Sequence, residues 1–153
     1  MSHVRSFERG TAALAAIFVF VDEVLARESL DAALRQGVDF VVEELFTNIV
    51  KYGRGRSPVR IEIGVIGRGV EVTVTEFDAD FFDVTRPPAV DVTLAASSRV
   101  PGGLGLHLIP RFVDAIDYSY SQAERCGRVR FRVGTTPAAP AVPRDSTEGP
   151  ASC

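Results

Sequence analysis

Glu44-Leu45-Phe46-Thr47-Asn48-Ile49-Val50-Lys51-Tyr52-Gly53 carries two patterns at once. Leu45 and Ile49 continue an apolar stripe that begins at Leu34 and runs through Val38, Val41 and Val42, so the spacing predicts one amphipathic helix from about residue 32 to residue 52, with Gly53 as its stop. Glu44, Asn48 and Lys51 sit at i, i+4 and i+7 of the same helix, a narrow stripe beside the apolar face. A carboxylate, an amide and an ammonium therefore point into one crevice. The amide oxygen can ligate Mg²⁺, the ammonium can offset phosphate charge, and the carboxylate can accept a proton from a hydroxyl. The spacing alone fits a solvated helix edge with an i,i+7 charge pair better than a site.

Downstream, Val59, Ile61, Ile63 and Val65, then Val70, Val72 and Val74, alternate with polar or small residues around Gly67-Arg68-Gly69. This predicts a hairpin with one buried face. Strand parity places Glu76 on the side of Val70, Val72 and Val74, where a carboxylate needs a partner or a cleft. A strand that ends one residue earlier would turn it to water instead. Upstream, Leu14, Ile17, Phe18, Val21, Val24 and Leu25 predict a first helix that Thr11 can cap, and His3 falls in a terminus expected to fray.

From Phe77 to Val100 periodicity fades, as in a lid or binding loop. Pro101-Gly102-Gly103-Leu104-Gly105 then opens an apolar helix ending near Val113, a turn that lets backbone N–H groups approach a phosphate. Leu108 breaks the dinucleotide G-x-G-x-x-G pattern, Pro110 is awkward inside that helix, and His107 reads as a packed or capping residue. Ile116, Tyr118 and Tyr120, then Val129, Phe131 and Val133, predict a last hairpin. The tail, with Pro137, Pro140, Pro143 and Pro150, is expected to be disordered.

The chain has 153 residues, 46% of them hydrophobic, enough for one domain with an ordinary core. A net charge of -3 without a basic run argues against direct nucleic-acid or anionic-membrane binding. The apolar stretch at 12–21 is cut short by Asp22 and Glu23, so neither a membrane span nor a signal peptide is expected. Cys126 and Cys153 have no metal-type spacing, which fits the reducing cytoplasm.

Taken in order, the Glu44-to-Gly53 helix, the strand ending in Glu76 and the segment Pro101–Ile109 resemble the N, G1 and G2 boxes of GHKL ATPases. Within that superfamily the chain is similar to the anti-sigma-factor serine kinases over about residues 10 to 134. The resemblance implies the Bergerat, or histidine-kinase-like ATPase, fold: an α/β (α+β) two-layer sandwich with a mixed, mostly antiparallel sheet and helices on one face. Residues 1–134 would form the ATP-binding domain and 135–153 the Pro/Ala-rich tail. By position, Glu44 would be the general base, Asn48 would ligate Mg²⁺, Lys51 would contact phosphate and Glu76 would meet the adenine amino group. Gly102, Gly103, Leu104 and Gly105 would cradle the phosphates of ATP, under a lid at roughly 85–100.

The implied function is serine/threonine phosphorylation of a STAS-domain anti-sigma antagonist, with a sigma factor as second partner and a homodimer as the usual assembly. The family's G1 box is typically Asp-x-Gly, whereas Glu76-Phe77-Asp78 stands here with Asp80 following. Two added carboxylates would repel phosphate if they face it, and a missing glycine could block close approach of adenine. The alternatives are a switching module of the same fold without efficient ATP use, and a plain α+β interaction domain.

Overall fold

The structure, a computed structural model, describes residues 1–89 and 104–136. Residues 90–103 and 137–153 lie outside that description, and with them Gly102, Gly103, most of the expected lid and nearly all of the expected tail.

Five strands form one sheet: β1 (Ser2–Phe7), β2 (Val59–Ile66), β3 (Gly69–Glu76), β4 (Ala115–Ser121) and β5 (Cys126–Val133). Their order is β1-β2-β3-β5-β4. Every pairing is antiparallel, so among the described residues the expected mixed sheet contains no parallel pair. The alternation read from the sequence sets the register. Ile63, Val72, Phe131 and Ile116 fall in one cross-strand row, and Ile61, Val74, Val129 and Tyr118 in the next. These rows are the inner wall of the core, because all the inward residues of β2 and β3 up to Val74 are apolar and β-branched.

Helices α1 (Leu14–Arg27) and α2 (Leu34–Tyr52) cover that wall. The first buries Ile17, Phe20, Val21, Val24 and Leu25, and the second Val38, Val41, Val42, Leu45 and Phe46. Phe46 and Phe131 are fully buried, each contributing roughly 1.5–3 kcal/mol of transfer free energy. One layer of helices on one antiparallel sheet is an α+β sandwich.

Three local expectations are corrected. Residues 2–7 do not fray but form the edge strand β1, paired with β2 from Ser2↔Gly64 to Phe7↔Val59. Its inward positions are His3, Arg5 and Phe7, so no apolar alternation announced it. His3 Nε2 lies 2.6 Å from Glu28 Oε1, and the Arg5 guanidinium sits 4.7 Å over the Phe20 ring and 3.0 Å from Glu23. Thr11 does not cap α1, which is entered through a 3-10 turn at Thr11–Ala13 with no side-chain cap. The apolar helix after Gly102 is also shorter than expected: α3 spans Leu104–Leu108 and passes into a 3-10 turn at Ile109–Arg111. Pro110 stands at the start of that turn, where a missing N–H leaves no bond unmade. No helix among the described residues is long and apolar enough to cross a membrane.

Candidate functional site

The 19-residue α2 runs along the sheet with Leu45 and Phe46 turned down, which leaves Glu44, Asn48 and Lys51 along its flank. Glu44 meets α3. Gly105 is pressed so closely against the Glu44 carboxylate that a Cβ there would overlap it. Leu106 and Ile109 are buried and anchor this contact, while Leu104 is exposed. Burial raises the Glu44 carboxyl above its ordinary range, repulsion from Glu43 adds to that, and Lys51 pulls the other way. A carboxylate in that condition takes up a proton more readily than one in water. Lys51 itself is exposed and has no ion-pair partner among the described residues.

One turn further along α2, Asn48 lines two adjoining spaces between that helix and the end of β3. The inner one, about 40 Å³, is bounded by Leu45, Asn48, Ile49, Glu76, Phe82 and Val84 among others. The outer one, about 230 Å³, runs past Tyr52, Gly53, Arg54 and Asp80. Glu76, Asn48 and Phe82 border both. At ~10–15 Å³ per water centre the inner space holds a few waters and no fused ring. Phe82 and Val84, from the segment after β3, line the inner space, and Phe82 also borders the outer one.

Glu76 faces the helix side of the sheet, next to Val74, and its partner is Arg9. Arg9 donates from Nη1 to Glu76 Oε1 at 3.0 Å, from Nε to the Ser57 carbonyl at 2.9 Å and from Nη2 to the Phe77 carbonyl at 2.9 Å. The pair is largely out of solvent, with the side chains 10% and 20% exposed. Gly53 and Gly55 permit it, since a Cβ on either would run into the guanidinium. Burial raises the Glu76 carboxyl, Arg9 opposes that by charge and hydrogen bond, and Asp80 and Asp78 reinforce it.

Of the two carboxylates expected to repel phosphate, Asp80 borders both spaces, and both it and Asp78 are paired with a cation. Arg125, in the β4–β5 turn, lies 3.2 Å from Asp78 and 3.2 Å from Asp80. The backbone is fastened there too: Ala79 N–H donates to the Arg125 carbonyl, Tyr120 Oη–H donates to the Ala79 carbonyl and Phe82 N–H donates to Tyr118 Oη. Asp78 has φ 51°, the left-handed conformation that suits a glycine, so the turn forms without one.

Glu44 thus meets Gly105, and Asn48, one turn further along α2, shares the crevice with Glu76, while the exposed Lys51 lines neither of its spaces. The approach of Gly102 and Gly103 falls outside the described residues. His107 Nε2 is 2.9 Å from the Pro88 carbonyl, a tie between α3 and the first part of the expected lid. Sequence reading missed Arg9, Arg125, Tyr118 and the inward Phe82. Arg9 stands 67 positions from Glu76, and no local spacing could have joined them.

For magnesium and a nucleotide triphosphate the donor set fits. Asn48 offers a hard amide oxygen beside an ammonium. Mg²⁺ keeps several waters and usually takes only one or two protein ligands besides phosphate, so the lack of three clustered His, Cys, Asp or Glu among the described residues does not oppose it. Residues 7–133 match the histidine kinase-like ATPase domain family. No curated protein matches the chain.

Proposed function

The chain belongs to the histidine kinase-like ATPase domain family, and from that premise we propose that it binds ATP-Mg²⁺ and phosphorylates a serine or threonine of a STAS-domain anti-sigma antagonist. One observation carries this reading: Glu44 and Asn48 share a flank of α2, Gly105 closes against Glu44, and the crevice beside Asn48 ends at a second carboxylate, Glu76.

In this reading Asn48 holds the metal through its amide oxygen, and Lys51 with the backbone N–H groups near Gly105 holds phosphate oxygens. Bound magnesium supplies positive charge that offsets the oxygens of the transferring phosphoryl group. Glu44 draws the hydroxyl proton onto its carboxylate as the substrate oxygen bonds to the γ-phosphorus. The bond from that phosphorus to its bridging oxygen breaks, and ADP leaves with the electron pair. The raised carboxyl of Glu44 suits a group that must collect a proton. A sigma factor is the second partner, the cytoplasm the site of action and a homodimer the working form.

The test is titration calorimetry with ATP-Mg²⁺, followed by phosphotransfer to a STAS-domain protein. Asn48→Ala is expected to abolish magnesium-dependent binding with little change in Tm, because a crevice residue is removed and not a core one. An Asn48→Ala protein that binds ATP-Mg²⁺ as tightly as wild type overturns the metal assignment. A second reading, a partner-switching module without efficient ATP use, is favoured by the small inner space beside Glu76, about 40 Å³. Binding without transfer, or no binding, selects it.

A further inference from the structure

Arg9 lies outside every stretch that carried the functional reading, yet it makes three hydrogen bonds at the end of β3. Two of them, to the carbonyls of Ser57 and Phe77, fix the guanidinium to backbone on either side of Glu76. The third takes up Glu76 Oε1. Among the described residues Oε2 has no hydrogen-bond partner, and Glu76 borders both spaces of the crevice. Oε1 is boxed in further, because Gly53 and the guanidinium close on it from one side. The carboxylate has one oxygen committed to the protein and one left for a ligand.

We infer that Arg9 is the positioning residue that sets the base preference of this crevice: it keeps Glu76 an ionised acceptor, which takes a 6-amino purine in preference to a 6-oxo purine. The inference rests on the ATP-site reading and adds to it a residue and a selectivity. An ionised carboxylate can only accept a hydrogen bond, so the 6-amino group of adenine satisfies it. A 6-oxo purine held in the same pose sets a carbonyl oxygen against it, leaving two acceptors face to face in a partly buried site, and must shift to offer its N1–H instead. A protonated Glu76 has an O–H to donate and would lose that preference. Burial, Asp80 and Asp78 all favour the protonated form, and Arg9 is the cation that faces them on Glu76. The other nearby cations, Arg54 and Arg125, are engaged with Asp80 and Asp78 at the outer rim.

The experiment compares full-length wild type with Arg9→Met and Arg9→Gln, each checked for a cooperative melt. Binding of ATP and of inosine triphosphate, both with Mg²⁺, is titrated across the neutral pH range. Arg9→Gln keeps a hydrogen-bond donor at this position but removes the charge. Wild type is expected to prefer ATP by at least about tenfold, with a ratio flat across that range. In both variants the ratio should fall toward one at neutral pH and climb again as pH rises and Glu76 ionises. Arg9→Lys, which restores a positive charge, should recover most of the preference.

A merely structural Arg9 would weaken both nucleotides alike and leave the ratio and its pH profile unmoved, and that result overturns the inference while the ATP-site reading stands. Wild-type protein that binds neither nucleotide ends both together. Should the neutral variants fail to fold, a carbon-detected NMR titration of the Glu76 carboxyl in wild type decides. Ionisation complete below neutrality supports the inference, and titration through neutrality overturns it.

Discussion

Glu44 is a carboxylate that its surroundings would rather keep protonated, and the fold retains it. Burial raises its carboxyl above the ordinary range, ahead of the contribution from Glu43. A carboxyl raised in the folded chain binds its proton more tightly there than in the unfolded chain. Its share of stability is therefore greatest at acid pH, falls as pH rises from the ordinary glutamate range to the raised value, and is a fixed cost above it. Glu44→Gln should then raise Tm at neutral pH by up to about 2 °C, a gain that vanishes below the ordinary glutamate range. The same substitution should lower phosphotransfer by about 10²–10⁴-fold. Melts at neutral and acid pH, paired with the transfer assay, check both. A lower Tm at neutral pH would contradict the assignment of Glu44 as a group held against its preference.

The connection leaving β3 is the element where local sequence and tertiary fastening meet. Residues 78–82 turn away from the sheet and are tied to the β4–β5 hairpin through Ala79, Tyr118 and Tyr120. The turn depends on the left-handed backbone of Asp78, which aspartate tolerates and a β-branched residue does not. Asp78→Val is expected to cost about 1–2 kcal/mol, a Tm fall of about 2–8 °C, whereas Asp78→Gly should stay within about 1 kcal/mol of wild type. The Arg125 ion pairs are solvent-exposed and add little to either figure. Thermal melts of the two variants decide, and equal losses would mean the ion pair, not the backbone, governs the turn.

At the scale of the whole molecule, the described residues draw their stability from the core between the helices and one face of five strands. Phe131 occupies the middle of that core with no solvent exposure, in the row of Ile63, Val72 and Ile116. Phe131→Ala should cost about 3–5 kcal/mol and lower the melting temperature by roughly 10 °C. Phe81, 66% exposed at the crevice rim, serves as the control, and Phe81→Ala should change it by little. Denaturant unfolding checks the pair, and similar losses for both would show that the core is not where the burial places it.

Two helices and two hairpins were legible because their apolar residues repeat at periods of 3.6 and 2, and a chain that must bury one face of each has few ways to stack them. The stripe of Glu44, Asn48 and Lys51 was legible for the same reason, since helical spacing alone puts them on one flank. Strand parity also carried Glu76 to the inner face. What it meets there was decided only by tertiary structure. Arg9 and Arg125 reach their carboxylates across 67 and 45 positions of chain, and Phe82, whose N–H donates to Tyr118 Oη, lines the crevice. β1 was hidden because its inner positions carry His3 and Arg5, polar side chains that make sense only beside Glu28 and Glu23 of the first helix and its end. Periodicity is a property of neighbours along the chain, whereas the partner of a buried charge is a property of neighbours in space.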